Sequence, residues 1–514
     1  MMRILLLFSF GLLSVACIPR QGPGELLTDD RRIDFGPGSD ESGSAARRPK
    51  VCASGGFVYV VWVDDRAIDA RVRMNRSLDG GFTWLPGDVL VSTDTPQGFQ
   101  ARNPSVACEQ GRVVVAWEDD RDGPLENPGI YVNVSQDAGA NWLPQSYRIT
   151  IDEEGDWRSL EPQISLFGTD IYVVWYDGRA GAFDIYFNRG AGFGQNWLIE
   201  EIRLDTDDDG AAYSARPRMA STATGEVFVT WVDSRDNTND IYFNRSLDHG
   251  IPGTWLATDI RLDDDVCFEG DGGCEPSDSF APEIVVRDGV VAVAWHERSI
   301  VTEPDGSYDK AADIYINVAT EQDPPDFSPD PTRVDTDGPQ VNSSQFPQVG
   351  ILDSGRVALV WRDDRAGGFD ILYSHSDDWG ESWLASETRL DSNPAGASHS
   401  TDASMSVGDD GNLAVVWSDL RSSTDAAPWE DLYITSSSDA GECWFEDRRV
   451  DDDPPGSARS VFPWVGFYRD PTTELEQMRI VWEEWRFGNA DIYYRGMPFE
   501  GEVPVCANDD SGAK

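Results

Sequence analysis

Short apolar runs ending in Trp recur along the chain: VYVVW to Trp62, VVVAW to Trp117, IYVVW to Trp175, VFVTW to Trp231, VAVAW to Trp295, VALVW to Trp361, LAVVW to Trp417 and MRIVW to Trp482. The eight copies lie 55 to 66 residues apart. They are rich in β-branched residues and bounded by turn residues, which predicts buried strands rather than helices. Each run leads into an acidic residue and an Arg (VDDR, EDDR, YDGR, VDSR, HER, RDDR, SDLR, EEWR). A Gly- or Asp-rich turn then gives a second strand such as DIYFN at Asp184 and Asp240 or DIYYR at Asp491, so the pair is a β-hairpin. Four units continue with an octet, SLDGGFTW, SQDAGANW, SDDWGESW or SSDAGECW, and a further strand carries Arg-apolar-Asp, as at Arg203-Leu204-Asp205. A loop with a Pro (Pro49, Pro104, Pro162, Pro217, Pro282, Pro347, Pro463) opens the next unit. Four strands in about 60 residues, repeated eight times, predict an all-β chain forming a single β-propeller of eight four-stranded blades over 31–500. The last unit lacks its fourth strand, while Arg32-Ile33-Asp34 is an orphan of that type, so the N-terminal segment is expected to complete the last blade and close the ring.

The octets match the Ser-x-Asp-x-Gly-x-x-Trp pattern of the Asp-box, or BNR, repeat, so the chain resembles the Asp-box β-propellers that include sialidases. Complete copies place Asp79, Asp137, Asp378 and Asp439 at the repeat's Asp, and Asp248 heads a copy stretched by two residues. The resemblance implies that these residues are structural and lie away from the active mouth. It departs from the enzymes in blade number, since the sialidase fold has six. A sialidase-like site would require three Arg to hold a sugar carboxylate, an acidic proton donor, and a Tyr activated by a Glu. Arg47 or Arg48 before Pro49, and Arg102 before Pro104, are similar to the family's Arg-x-Pro, although the preceding aromatic is absent at both. No Tyr-Glu pair can be assigned from the sequence.

Charge and composition narrow the function. A net charge of −51 over 514 residues excludes nucleic-acid binding through phosphate neutralisation. An aromatic content of 11%, with 19 Trp, excludes a disordered acidic chain. Residues 1–16 form a signal peptide, with a charged tip at Arg3 and an apolar run from Ile4 to Leu13. The ending LSVAC resembles a lipobox with Cys17 as the lipidated residue, departing from it by Ser14 where the family has Leu. Residues 17–30 read as a flexible tether and 501–514 as a tail. Export to a cell envelope or surface, with membrane attachment through Cys17, is therefore expected. Six further Cys are an even number suited to disulfides, and Cys267 with Cys274, bracketing a short Gly-rich loop, are the first choice of pair.

Candidate chemistry sits where the repeat is broken. Around Trp295 the turn reads His296-Glu297-Arg298, with long flanking segments from Asp264 to Ala281, Ser299 to Ala312 and Glu321 to Pro331. His296 and Glu297 join Arg47 and Arg102 as weak catalytic candidates, although a histidine at such a turn is expected to be exposed and unremarkable. The acidic-x-Arg groups are expected to pair with the Asp of the following strand, as Asp177, Arg179 and Asp184 could across one turn. Asp205, Asp207 and Asp209 have the D-x-D-x-D-G opening of a calcium loop; the twelfth position is Arg216, so this is no EF-hand, and the alternatives are calcium, the one cofactor considered, or solvated acidic turns. The expected function is a monomeric surface scaffold that binds a glycan or protein ligand at a propeller mouth. The alternative is a sialidase-like exo-glycosidase or another glycoside hydrolase.

Overall fold

A computed structural model describes residues 29–499, apart from 36–44, 67–68, 124–126, 152–156, 265, 268–273, 276, 300–310, 321–324, 340, 409–410, 425–426 and 470–475. It shows the eight-bladed propeller, each blade an antiparallel four-stranded sheet in sequence order. Blade one, for example, runs Ala46–Ser54, Phe57–Asp64, Arg71–Ser77 and Val89–Leu90. Blade eight is completed by the N-terminal strand Arg31–Arg32, with Arg31 opposite Tyr494 and Arg32 opposite Tyr493. Asp30, expected in the tether, belongs to this seam: Arg486 and Arg495 both donate to its carboxylate, and it exchanges backbone-to-carboxylate hydrogen bonds with Asp452.

The apolar runs form the second strand of each blade, and their eight Trp side chains are fully buried. The buried residues fall into eight clusters, each spanning two neighbouring blades, such as Tyr59 and Val61 of blade one with Val113 and Val115 of blade two. The core is therefore a set of eight inter-blade layers. That explains why every run is apolar on both faces instead of alternating.

Two ionic clasps hold the outer strands of several blades. In blade three, Arg179 grips Asp177, two residues before it, and Glu201 from the approach to the fourth strand. Its guanidinium lies 4.1 Å from the ring centre of Tyr186. The same stacking appears at Arg121 on Tyr131, Arg235 on Tyr242, Arg421 on Tyr433 and Arg486 on Tyr493. The second clasp is the fourth-strand Arg203, which meets Asp184, Asp205 and Asp207 at 3.5, 3.1 and 2.6 Å. The expected pairing of Arg179 with Asp184 is thus corrected. Arg179 does pair with Asp177, but Asp184, opposite Asp177 in the ladder, belongs to Arg203, because the second arm of the Arg179 guanidinium is taken by Glu201.

The octets form the tight turns before the fourth strands. Ser77 donates to Asp79, and the Asp79 carboxylate accepts from the Thr83 amide and hydroxyl. Ser135 with Asp137, Ser376 with Asp378 and Ser437 with Asp439 repeat the first of these bonds. In the stretched copy the amides of Asp248 and Gly250 both donate to Ser246 Oγ.

Candidate functional site

The opposite face holds the one position where backbone strain recurs in all eight blades. Each first strand skips two residues of its ladder, and the first of the two has positive φ: Arg48, Asn103, Glu161, Arg216, Ala281, Phe346, Asp402 and Phe462, with φ from 45° to 56°. Left-handed geometry at non-glycine residues is costly and collects at functional sites. The bulge turns one side chain per blade toward the propeller axis. In seven blades the next residue is the Pro noted in the sequence, which is buried in blade one as Pro49 and in blade two as Pro104.

A cavity of about 360 Å³ lies at this mouth, lined by Arg48, Lys50, Asn103, Glu161, Arg218 and Phe462 among others. Arg48 donates to Asn103 Oδ1 at 3.3 Å, and Arg218 Nε lies 3.1 Å from Glu283. Lys50 is exposed at the mouth but crowded by surrounding protein. That desolvation, followed by repulsion from Arg218, holds its pKa below the usual lysine value. Two phenylalanines add apolar surface to the mouth, Phe346 at 50% and Phe462 at 44% exposed.

The residue after each core Trp also faces this mouth and differs from blade to blade: Val63, Glu118, Tyr176, Val232, His296, Arg362, Ser418 and Glu483. Glu118 accepts from Asn103 Nδ2 and from the Glu161 amide, both at 2.8 Å. Burial raises its pKa, so it is a candidate proton donor. The Tyr176 hydroxyl lies 3.5 Å from Glu161 Oε1. Burial, followed by the Glu161 charge, pushes the Tyr176 phenol above its usual value.

The expected candidates separate. Arg47 and Arg102 are exposed on the mouth face, but Arg48 rather than Arg47 lines the cavity, while Arg47 leans over Trp485 at 5.5 Å. His296 is corrected from an exposed turn residue to a buried one. It lies between Phe280 and Phe346, its Nδ1 3.5 Å from the Phe346 amide. Burial and then the nearby Arg362 lower its pKa to about 3, so it stays neutral. Glu297 takes the place that Asp64, Asp119 and Asp177 hold in other blades, accepting from the Trp295 indole and from Ser277. Burial raises it to about 8.

Asp205 and Asp207 come together with Asp184, and their charge is met by Arg203; Asp209 is exposed, 3.9 Å from the same guanidinium. Asp313, Asp335 and Asp337 form the same group around Arg333, and Asp431, Asp451 and Asp453 around Arg449. Cys52 and Cys108 form a disulfide between the first strands of blades one and two. Cys443 is also disulfide-bonded. Cys267 and Cys274 stand opposite each other in a two-residue ladder. Cys17, most of the loops around blade five and the termini lie outside the described residues.

No protein-family model matches the sequence, and no curated protein matches it either. Solved structures similar to it include a protein of unknown function from Dyadobacter fermentans, at 11% identity and a TM-score of 0.40, covering 92% of this chain and 98% of that one. The intramolecular trans-sialidase of Ruminococcus gnavus superposes at 12% identity and a TM-score of 0.38, with the same coverage. An α-L-arabinofuranosidase of Fusarium graminearum does so at 14% and 0.38, covering 65% of this chain and 92% of that one.

Proposed function

We propose that the protein is an exported, lipid-anchored Asp-box propeller that binds an anionic, hydroxyl-rich ligand, an acidic glycan, at its axial mouth. The observation that carries this reading is the gathering of Arg48, Lys50 and Arg218 around one cavity, with Phe462 on its wall, in a chain of net charge −51. Local cations focus an anion against an otherwise repulsive field, and an exposed aromatic offers a stacking face to a sugar ring. The Cys52–Cys108 disulfide supports an oxidising location outside the cytosol. Titration calorimetry with sialyllactose and oligogalacturonate against neutral maltotriose tests the reading. The acidic sugars should bind, and Arg48→Ala should weaken them about ten-fold, the order expected for one charge-assisted contact. Equal binding of the neutral sugar, or none of the acidic ones, would sink it.

A second reading is supported by the 3.5 Å approach of Tyr176 to Glu161 beside the buried acid Glu118: glycoside hydrolysis with Tyr176 as nucleophile. Two arginines and a lysine, rather than three arginines, line the cavity. Release of chromophore from an aryl sialoside, abolished in Tyr176→Phe, would decide for the enzyme; no turnover leaves the binding reading in place.

A further inference from the structure

Blade five meets blade six without the large covering side chain found at four other seams; blade two meets blade three in a similar way, with Val134 over Gly194. At several octets, a large side chain of the preceding blade covers the octet glycine: Tyr494 over Gly81, Met74 over Gly139, Phe187 over Gly250 and Tyr373 over Gly441. Between blades five and six that role falls to Val318 over Gly380. The smaller side chain leaves a pocket of about 550 Å³, walled by Ile316, Val318, Asp326, Asp378, Trp379 and Glu381. It lies on the octet face, away from the axial mouth.

Trp379 is the feature that shapes this pocket. Its position in the octet is held elsewhere by Gly80, Ala138, His249 and Ala440, and by Phe193 in the degenerate copy of blade three, each at positive φ. A tryptophan at φ 61° is strained and, with 41% of its surface exposed, gains little burial for that strain. The indole rests on Gly355, where a Cβ would come within 2.6 Å of Cζ2, so the glycine gives it a seat. Around it stand carboxylates that remain charged. Hydrogen bonds from Ser382 and Ser376 hold Asp378 at about 2, and the Thr320 amide lowers Asp326. Glu381 is exposed at the rim.

An indole face with a negative quadrupole, ringed by three carboxylates on a chain of charge −51, favours a cation over a neutral or anionic guest. We propose that the pocket beside Trp379 binds a small organic cation of the alkylammonium class, through cation–π contact with the indole and charge attraction from Asp326, Asp378 and Glu381. This site is separate from the axial mouth and does not depend on what the mouth binds.

The test is calorimetry on the full chain with tetramethylammonium and choline, each as the chloride, and with phosphocholine and maltotriose as comparisons. Saturable binding of both ammonium ions is expected. Trp379→Ala should weaken it about ten-fold or more, and Glu381→Gln about three-fold, in line with desolvated cation–π and rim charge contributions. Phosphocholine should bind less well than choline, which points to a free cation; tighter phosphocholine would point to a lipid headgroup as the source of the same ammonium. Glu381 takes part in the octet turn through its backbone amide, which donates to the Asp378 carbonyl, and Glu381→Gln changes only the side chain, so that variant keeps the proposal testable should Trp379→Ala fail to fold. Three outcomes would overturn the proposal: no ammonium binding, binding unchanged in both variants, or maltotriose binding that is lost in Trp379→Ala while ammonium does not bind.

Discussion

The outer turns and the axial mouth of this propeller are both built from charged residues, yet they are organised in opposite ways. At the outer turns the same Arg meets the same carboxylates in blade after blade, as Arg203, Arg333 and Arg449 each do with three Asp. At the mouth the backbone repeats but the side chains do not: Arg48, Asn103, Glu161, Phe346 and Asp402 occupy equivalent positions. Repetition marks residues that every blade needs in order to fold. Variation on a repeated frame marks residues that the fold does not itself require.

The comparison breaks if removing an outer clasp proves harmless. Arg203→Met would leave buried Asp184, Asp205 and Asp207 without their cation, and denaturant unfolding should show a loss of about 3–5 kcal/mol. A smaller loss, about 2–4 kcal/mol, is expected on replacing both Cys52 and Cys108 by Ser. Ser165 and Ser221 occupy the matching places between blades three and four, and their hydroxyls meet at 2.6 Å. The Ser pair should therefore be accommodated without loss of the fold.

Stability should also depend on pH through the buried acids. Glu297 keeps its proton up to about pH 8 in the folded protein but loses it near 4.5 when unfolded. Between those values the folded state holds the extra proton, so stability should fall as pH rises through the window. Asp205, raised to about 8, and Asp240 and Asp391, each raised to about 7, act in the same direction. The melting temperature should be higher at pH 5 than at pH 8, and Glu297→Gln should reduce the difference by the equivalent of about 1–2 kcal/mol. The smallest stability effect belongs to the mouth. Arg48→Ala should shift unfolding by no more than about 0.5 kcal/mol while weakening acidic-glycan binding as stated above. A large destabilisation there would erase the distinction between the two regions.

The fold was legible because it is written eight times: the Trp runs, their spacing and the orphan Arg32-Ile33-Asp34 determine strands, blade count and closure. The octet turns were legible for the same reason, with Phe327 as an exception. It packs edge-on to Phe243, as Trp255 does to Phe187, in a blade without an octet, and only its aromatic character hinted at that. Of the mouth, Arg48 before its Pro was legible and the rest was not, because its residues come one from each blade and meet only across the axis. The available signal was positional: the residue before each opening Pro and the residue after each core Trp vary while their neighbours repeat. Comparing the blades at those two positions isolates Arg48, Glu118, Glu161 and Tyr176. The outer pairing was legible for Arg179 with Asp177 and missed at Asp184, whose partner, Arg203, comes from the fourth strand and not from the same turn.

The seam at blade eight sets the order of assembly. Asp30 and its partner Arg486 are 456 residues apart, so the first segment of the propeller to be synthesised meets its neighbour after nearly everything else has been made. Seven blades can stack as they emerge, each burying its apolar run against the one before. The first blade meanwhile keeps one flank, including Val58, Val60 and Trp62, bare until Val481 and Tyr494 arrive. Closing that gap is the most non-local event in folding, and the waiting flank is where a stalled or truncated chain would stick to its neighbours.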